Sequence, residues 1–192
     1  MALEDNVYEN IHVYDGEDSE VAVAPKGTTL QEGVGPADTP AEVVGWIDPD
    51  GVEESNDQSA ESWRGWQGNK VVKRKVTESE ITYTIKCLEE NAVVHGLKTR
   101  GAEVTKVTDG DATYAKTVRN RETATDERVW RIRWIADDGS EKVAIFLGTH
   151  TLSGSIPHQA TEMTVHEFEV TPIGDVTEFT TNASIVAAAE AA

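Results

Sequence analysis

The chain has 192 residues, a formal net charge of −18 and 38% hydrophobic residues, which is enough for one domain with its own core. Val, Thr and Ile are frequent, and these residue types favour β structure. No run of eighteen apolar residues occurs, so no membrane-spanning helix is predicted. The acidic N-terminus lacks the basic and apolar regions of a secretory signal. A single cysteine, Cys87, excludes an internal disulfide bond and fits folding in a reducing cytoplasm.

The charge is unevenly distributed along the chain. Residues 1–61 have a net charge of −15, residues 62–159 of +3 and residues 160–192 of −6. Tight DNA binding needs an electropositive face, so this composition argues against it. Four interpretations remain: a surface that favours solubility, adaptation to high salt, acidic segments that meet the basic block of a neighbouring copy, or an acidic surface that lets nucleic acid pass without sticking.

The first part of the chain predicts short elements and a long loop. Residues 5–14 and 20–24 predict short strands. Residues 25–41 are rich in Pro, Gly and Thr, which is typical of an extended loop, and a loop of this length is usually functional or ordered against a partner. Residues 42–47 then predict a strand. The sequence DPDG at 48–51 predicts a turn, followed by a polar loop over 52–61.

The middle of the chain has the clearest patterns. Strands are predicted over 69–76 and 79–87, and in the second of these Ile81, Tyr83, Ile85 and Cys87 alternate with polar residues. Residues 88–97 predict a short helix in which Glu89 and Glu90 favour the N-terminal end and Gly96 the stop.

The last part predicts two hairpins and a tail. Asp109-Gly110 within 102–119 is a strong hairpin signal, and Trp130, Ile132 and Trp134 form one face of a strand over 127–136. The remaining predicted elements are a return strand at 141–147 that is apolar on both faces, a loop at 148–160, a strand at 161–172 and a weakly structured tail at 176–192. Together the elements predict a mainly β fold: an antiparallel β-sandwich or barrel flanked by one short α-helix, with extended loops and terminal arms.

No catalytic or cofactor-binding motif is present, so we expect no enzyme and no cofactor. Cys87 is interpreted as a buried structural thiol. His150, His158 and His166 are eight residues apart, which is wider than the usual spacing of zinc ligands, and loop or strand-face histidines are favoured over a metal site. Residues 48–54 contain a fragment of a calcium-loop pattern, but a turn is the favoured interpretation.

Eight residues are candidates for a subunit interface. Trp and Arg side chains often anchor interfaces, although the two Trp could instead cap the core. The basic run could bind a phosphate backbone, but a solvated or subunit-facing strand is favoured. The Asp-Gly hairpin has little core face, so it either pairs with another subunit or forms a mobile arm. The candidates are Trp63, Arg64, Trp66, Lys73, Arg74, Lys75, Asp109 and Gly110.

The order of several segments resembles the major tail proteins, or tail tube proteins, of long-tailed, non-contractile phages. The segments that carry the resemblance are GWIDPDGV at 45–52, SWRGWQGNKVV at 62–72 and TESEITYTIKCLEENAVVHGL at 77–97. A hairpin at 127–147 and a strand at 161–171 follow in the matching order. The chain departs from the family in its long acidic N-terminal segment, its basic run at 73–75 and its Ala-rich tail.

The resemblance implies a β-sandwich flanked by a helix, of a kind also found in type VI secretion tube proteins. Copies of such proteins join into hexameric rings that stack into a hollow tube with an acidic lumen, bridged by loops and arms. On this basis residues 1–41 are expected to be an acidic arm and loop, residues 42–175 the tail-tube domain and residues 176–192 a C-terminal tail.

The function implied by the resemblance is that of a structural virion protein. Its partners would be further copies of itself, the tape measure, tail terminator and baseplate or tip proteins, and viral DNA that passes through without specific binding. It would be located in the virion after assembly in the host cytoplasm, with no membrane contact. The alternatives are a β-sandwich module that decorates a capsid or recognises a surface glycan or protein, and a calcium-dependent or hydrolytic enzyme.

Overall fold

The computed structural model describes residues 13–14, 18–64, 66, 68–119, 125–156, 158 and 163–190. These residues form ten β-strands and two short helices, and every strand pair is antiparallel. The predicted mainly β, antiparallel fold with a flanking short helix is therefore confirmed. The elements are β1 (Glu20–Pro25), β2 (Glu42–Val43), β3 (Ile47–Arg64), β4 (Val71–Cys87), α1 (Ala92–Lys98), β5 (Val104–Asp109), β6 (Ala112–Thr117), β7 (Glu127–Ile135), β8 (Glu141–Ser153), β9 (His166–Pro172), β10 (Thr177–Thr180) and α2 (Ala183–Glu190).

One sheet of eight strands contains most of the fold. Its order is β2-β1-β7-β8-β9-β4-β3, and β10 pairs with β8 beside this path. One edge of β8 pairs with β7, while its other edge is shared between β10 at residues 142–145 and β9 at residues 148–153. β5 and β6 form a separate two-stranded sheet. β1 and β10, which come from the segments 1–41 and 176–192, are hydrogen-bonded members of the large sheet.

The large sheet curls so that side chains from distant strands meet in one core. The Tyr83 ring on β4 stacks on Phe146 of β8 with centroids 4.9 Å apart, and it also lies 6.3 Å from the Trp134 ring on β7. The predicted alternations at 81–87 and 130–134 are confirmed, because these side chains are buried in the core or packed against it. The buried core residues are Val21, Val23, Val44, Tyr83, Ile85, Cys87, Val94, Leu97, Trp130, Ile132, Phe146, Phe168 and Val170.

The opposite face of β1 and β7 binds the long loop that follows β1. Arg131 is only 2% exposed, and its guanidinium donates hydrogen bonds to Gly35 O at 2.6 Å and to Glu20 Oε1 at 3.2 Å. Glu141 pairs with Arg133 at 2.9 Å and accepts a hydrogen bond from Gly35 N at 2.7 Å. The loop predicted at 25–41 is therefore ordered against its own sheet, through two arginines and two carboxylates.

Helix α1 begins later than the sequence predicts. Asn91 is its N-cap: its Oδ1 accepts from Val94 N at 2.9 Å, and its Nδ2 donates to Val44 O at 2.8 Å, which ties the helix start to the chain after β2. Glu89 and Glu90 precede the helix, so their predicted place in its first turn is wrong. The predicted stop at Gly96 is also wrong, because the helix continues to Lys98.

Three loop predictions are corrected. The loop predicted at 52–61 is wrong, because these residues of β3 pair with β4; β3 also includes the predicted turn at 48–51, where the register with β4 is interrupted and Gly51 has φ +74°. The strands predicted at 69–76 and 79–87 are one strand, β4. The loop predicted at 148–160 begins only after Ser153. The tail at 176–192, which the sequence predicts to be weakly structured, contains β10 and α2. The strand predicted at 5–14 lies outside the described residues except for residues 13–14.

Replacing Arg131 should destabilise the fold strongly. Arg131→Ala removes a buried cation together with the hydrogen bonds that it donates to Glu20 and to the carbonyl of Gly35, so we expect the free energy of unfolding to fall by about 3 kcal/mol. Urea denaturation measures this loss, with the exposed Lys106→Ala as the control. A loss below about 1 kcal/mol would contradict the proposed role of the Arg131 network.

Candidate functional site

The hairpin of β3 and β4 extends beyond the rest of the sheet. β4 pairs with β9 only over residues 83–87, whereas its pairing with β3 continues outward to Arg64 and Val71. Every residue from 53 to 64 and from 71 to 80 is exposed. We call these two segments, with the described residues of the connection between them, the distal hairpin. At about 3.3 Å per residue it projects roughly 35 Å from the last pair with β9.

Six of the eight candidate interface residues lie together at the outer end of the distal hairpin. Lys73 Nζ is 5.9 Å from the ring centroid of Trp63, its cross-strand partner, and Arg64 Nη1 donates to Asn69 O at 3.1 Å. Trp66 lies in the connection and is 97% exposed. The six residues are Trp63, Arg64, Trp66, Lys73, Arg74 and Lys75.

The other two candidates lie elsewhere. Asp109 is the last residue of β5 and pairs with Ala112, so Gly110 and Asp111 are the two central residues of the turn. Gly110 has φ +59°, which glycine adopts readily. The predicted hairpin signal is therefore correct, but this hairpin belongs to the separate two-stranded sheet.

A break in the strand register decides which charges share a face of the distal hairpin. Ser59 is opposite Glu78, while the next residue, Ala60, is opposite Val76, so Thr77 is an extra residue on β4. Cross-strand partners lie on the same face and neighbours along a strand on opposite faces. Because of this extra residue, the odd-numbered Lys73 and Lys75 lie on the same face as the even-numbered Glu78 and Glu80.

This face continues across the neighbouring strands as a polar sheet face. On β9, Phe168 and Val170 point into the core, while Glu167 and Glu169 alternate with them on the other side. Glu169 is opposite both Thr84 of β4 and Thr151 of β8. The polar sheet face comprises Glu53, Ser55, Asp57, Glu78, Glu80, Thr82, Thr84, Lys86, Thr149, Thr151, Ser153, Glu167, Glu169 and Thr171.

Charge changes sign along the hairpin. Residues 60–76 contain five bases and one acid, whereas the remainder of the two strands, 47–59 and 77–87, contains seven acids and one base. Apolar side chains are also exposed at the outer end: Val72 is 70% exposed and Val76 is 51% exposed. The outer end thus presents Trp and Arg, which are enriched at protein interfaces, beside exposed Val side chains and three lysines.

No protein-family model matches the chain, and no curated protein matches it. Among the described residues no helix is long and apolar enough to cross a bilayer. The same residues contain no group of three or more His, Cys, Asp or Glu side chains placed to hold a metal ion. Functional inference therefore depends on the geometry and charge of the distal hairpin and the polar sheet face.

The histidines that the sequence offered as metal ligands have separate surroundings. His150 is buried, and its Nε2 lies 3.0 Å from Leu97 O. His166 is 1% exposed, and neither of its ring nitrogens has a hydrogen-bond partner among the described residues. His158 instead lines a cavity of about 510 Å³ beside α1, together with His95 and other residues.

Burial sets the protonation of the core groups. It lowers the pKa of His150 and of His166, and it raises the pKa of the Cys87 thiol to about 12. The thiol is thus the unreactive core group that the sequence predicts. Both buried histidines are neutral in the folded protein near neutral pH.

Stability should decrease as the pH falls below about 6.5. There the unfolded chain protonates His150 and His166, while the folded chain resists protonation, so the free energy of unfolding falls by up to about 1.4 kcal/mol per pH unit for each histidine. The pKa values of Glu90 and Glu141 are lowered, so these carboxylates do not titrate in this range. Urea denaturation between pH 7.5 and 5.5 measures the slope.

The control is His166→Phe, which removes one titrating group and should reduce the slope. Stability that stays constant over this pH range in the unmodified protein would show that the two histidines are not buried in the neutral form.

Proposed function

We propose that the chain is a structural virion subunit that self-assembles into stacked, hexameric rings of a phage tail tube. The observation that carries the proposal is the distal hairpin, which is exposed on both faces over residues 53–64 and 71–80. A two-stranded ribbon of this kind is marginally stable by itself, and its open edges are templates for pairing with another chain. A second copy supplies the missing contacts.

The polar sheet face supports the proposal of a channel. Its fourteen residues span four adjacent strands and present Thr, Ser, Asp and Glu with one base, Lys86, while Trp63, Lys73 and Lys75 lie on the same side farther out on the distal hairpin. A wall of this composition repels DNA phosphates and offers no apolar side chain to which a base could stack. Lining a tube with the part of this face on β9 and β8, which presents Glu167 and Glu169 among Thr and Ser side chains, would give an acidic lumen through which DNA slides.

The direction of the hairpin favours head-to-tail assembly. Its outer end differs from its base in charge and in exposed apolar residues. The outer end of one copy therefore suits contact with a different surface of the next copy, and two outer ends would repel each other. Such heterologous contacts produce rings or open stacks. A tube of this kind would meet tail terminator and baseplate or tip proteins at its ends and enclose a tape measure protein, in the virion and, during assembly, in the host cytoplasm.

One observation favours a second candidate, a binding module for a surface glycan or protein. Trp66 is 97% exposed and Trp46 is 72% exposed, and exposed aromatic rings are common in binding surfaces. A binding module would remain a discrete particle at any concentration, whereas a tube subunit would polymerise.

The deciding experiment is electron microscopy of the purified protein in negative stain over a concentration series, with light scattering of the same samples. Rings or tubes that appear with rising concentration support the tail-tube proposal. Monomers that persist at all concentrations and salt conditions refute it and favour the binding module.

Removing the indole of Trp66 should weaken assembly without affecting the fold. Trp66→Ala changes a side chain that makes almost no contact within its own subunit, so the melting temperature should remain unchanged. Interface Trp residues commonly contribute more than 1 kcal/mol, which corresponds to about a tenfold increase in the concentration needed for assembly. Sedimentation measures that concentration.

Trp46→Ala is the matched control, because Trp46 is also exposed but lies outside the distal hairpin. Equal effects of the two substitutions, or no effect of Trp66→Ala, would show that Trp66 has no specific role in assembly and would contradict the prediction.

A further inference from the structure

We infer that the basic outer end of one distal hairpin binds the acidic middle of the distal hairpin on a second copy, an inference that rests on the proposed self-assembly. The acidic middle is Glu53, Asp57, Glu78 and Glu80, all on the polar sheet face. The basic end is Arg64, Lys70, Lys73, Arg74 and Lys75, of which Lys73 and Lys75 share that face.

The acidic middle lacks compensating cations within its own subunit. Asp57 lies directly opposite Glu80, and like charges in that arrangement destabilise a strand pair. Glu78 is two residues before Glu80 on the same face. Among the described residues none of the four carboxylates of the acidic middle forms an ion pair, and all four residues are exposed. Cations supplied by a second copy would relieve the repulsion within this cluster.

The basic end has the complementary imbalance. Glu61 is the single acid in residues 60–76, and no ion pair links it to its cross-strand partner Lys75. The ammonium group of Lys73 lies near the Trp63 ring, which holds the cation at the surface without neutralising it. The bases at this end are exposed and open to carboxylates of another chain.

Among the described residues the two clusters form no ion pair with each other. Their nearest members, Lys75 and Glu78, are three residues apart on β4, which is roughly 10 Å, whereas Lys73 and Glu80 are seven residues apart, which is roughly 20 Å. Exposed charges at that separation are largely screened at physiological salt, where the Debye length is about 8 Å. A second copy displaced by the same distance along the hairpin places its basic end over the acidic middle of the first.

This displacement keeps both copies pointing in one direction. Each subunit then offers a basic end to one neighbour and an acidic middle to the other, so the contact repeats without closing between two copies. Exposed Val72 and Trp66 at the same end would be covered in the contact, which adds apolar burial to charge pairing. In this contact the basic end binds the carboxylates of a second copy and not the phosphates of a nucleic acid.

The test exchanges the charges of the two clusters. The basic-end variant is Lys73→Glu with Lys75→Glu, and the acidic-middle variant is Glu78→Lys with Glu80→Lys. A control with the same charge change, Lys106→Glu with Lys116→Glu, alters exposed bases on the β5–β6 hairpin. Sedimentation and negative-stain microscopy measure assembly, and circular dichroism confirms that each variant is folded.

We expect each cluster variant alone to need about ten times more protein than the unmodified chain to assemble, while the control assembles normally. An equimolar mixture of the two variants should assemble, because the acidic end of one fits the basic middle of the other. A single chain carrying all four substitutions should also assemble.

The possible outcomes distinguish a failure of the charge-pairing contact from a failure of the proposed self-assembly. If the unmodified chain assembles and the basic-end variant does so equally well, the inference is wrong and the tube proposal stands. If the two variants do not complement each other in the mixture, the clusters are not partners. If the unmodified chain stays monomeric, both proposals fail. Binding of duplex DNA that is lost in the basic-end variant, with assembly unchanged, would assign the basic end to nucleic acid instead.

Discussion

The open edge of β4 between Val71 and Thr82 is the constraint on which the functional interpretation depends. Below this segment, Tyr83, Ile85 and Cys87 are buried in the core and β9 pairs with the strand, so the base of the hairpin is fixed. Within it, the pairing described for the strand is with β3 on one side, and residues 71–80 are exposed on both faces. The fold thus holds rigidly the base of an element whose outer part lacks partners, and an unpaired edge on a stiff base is suited to pairing with another chain.

The distal hairpin carries opposite charges at its outer end and in its middle. The bulge at Thr77 places the bases of the outer end on the same face as the acids of the middle, so the sign of the charge changes along one surface. Elsewhere in the sheet, the buried Arg131 and the partly buried Arg133 fix loop 26–41 through Glu20 and Glu141. Carboxylates that pair within the subunit stabilise the fold, whereas those of the acidic middle remain available to a neighbour.

The sequence predicts the fold class well where a large apolar side chain recurs on one face, as at residues 81–87 and 130–134. It fails over residues 48–61, because a ribbon exposed on both faces needs no apolar alternation and because Pro49 and Gly51 are typical of turns. The sequence does not indicate that Arg131 is buried either, since its burial depends on a loop about a hundred residues away in the chain. The composition indicates the Trp and basic group as interface candidates, while the sharing of one face by Lys73 and Lys75 with the acidic middle depends on a bulge that no sequence pattern indicates.

The most direct test of the central claim is hydrogen exchange of the β4 amides, measured by mass spectrometry on dilute subunits and on assembled protein. In dilute subunits the amides between Val71 and Thr82 should exchange much faster than those of β7, which lies between two strands. In the assembled protein the same amides should become protected while those of β7 change little. Exchange at residues 71–82 that is equally fast before and after assembly would show that another copy does not cover the distal hairpin, and would contradict the account.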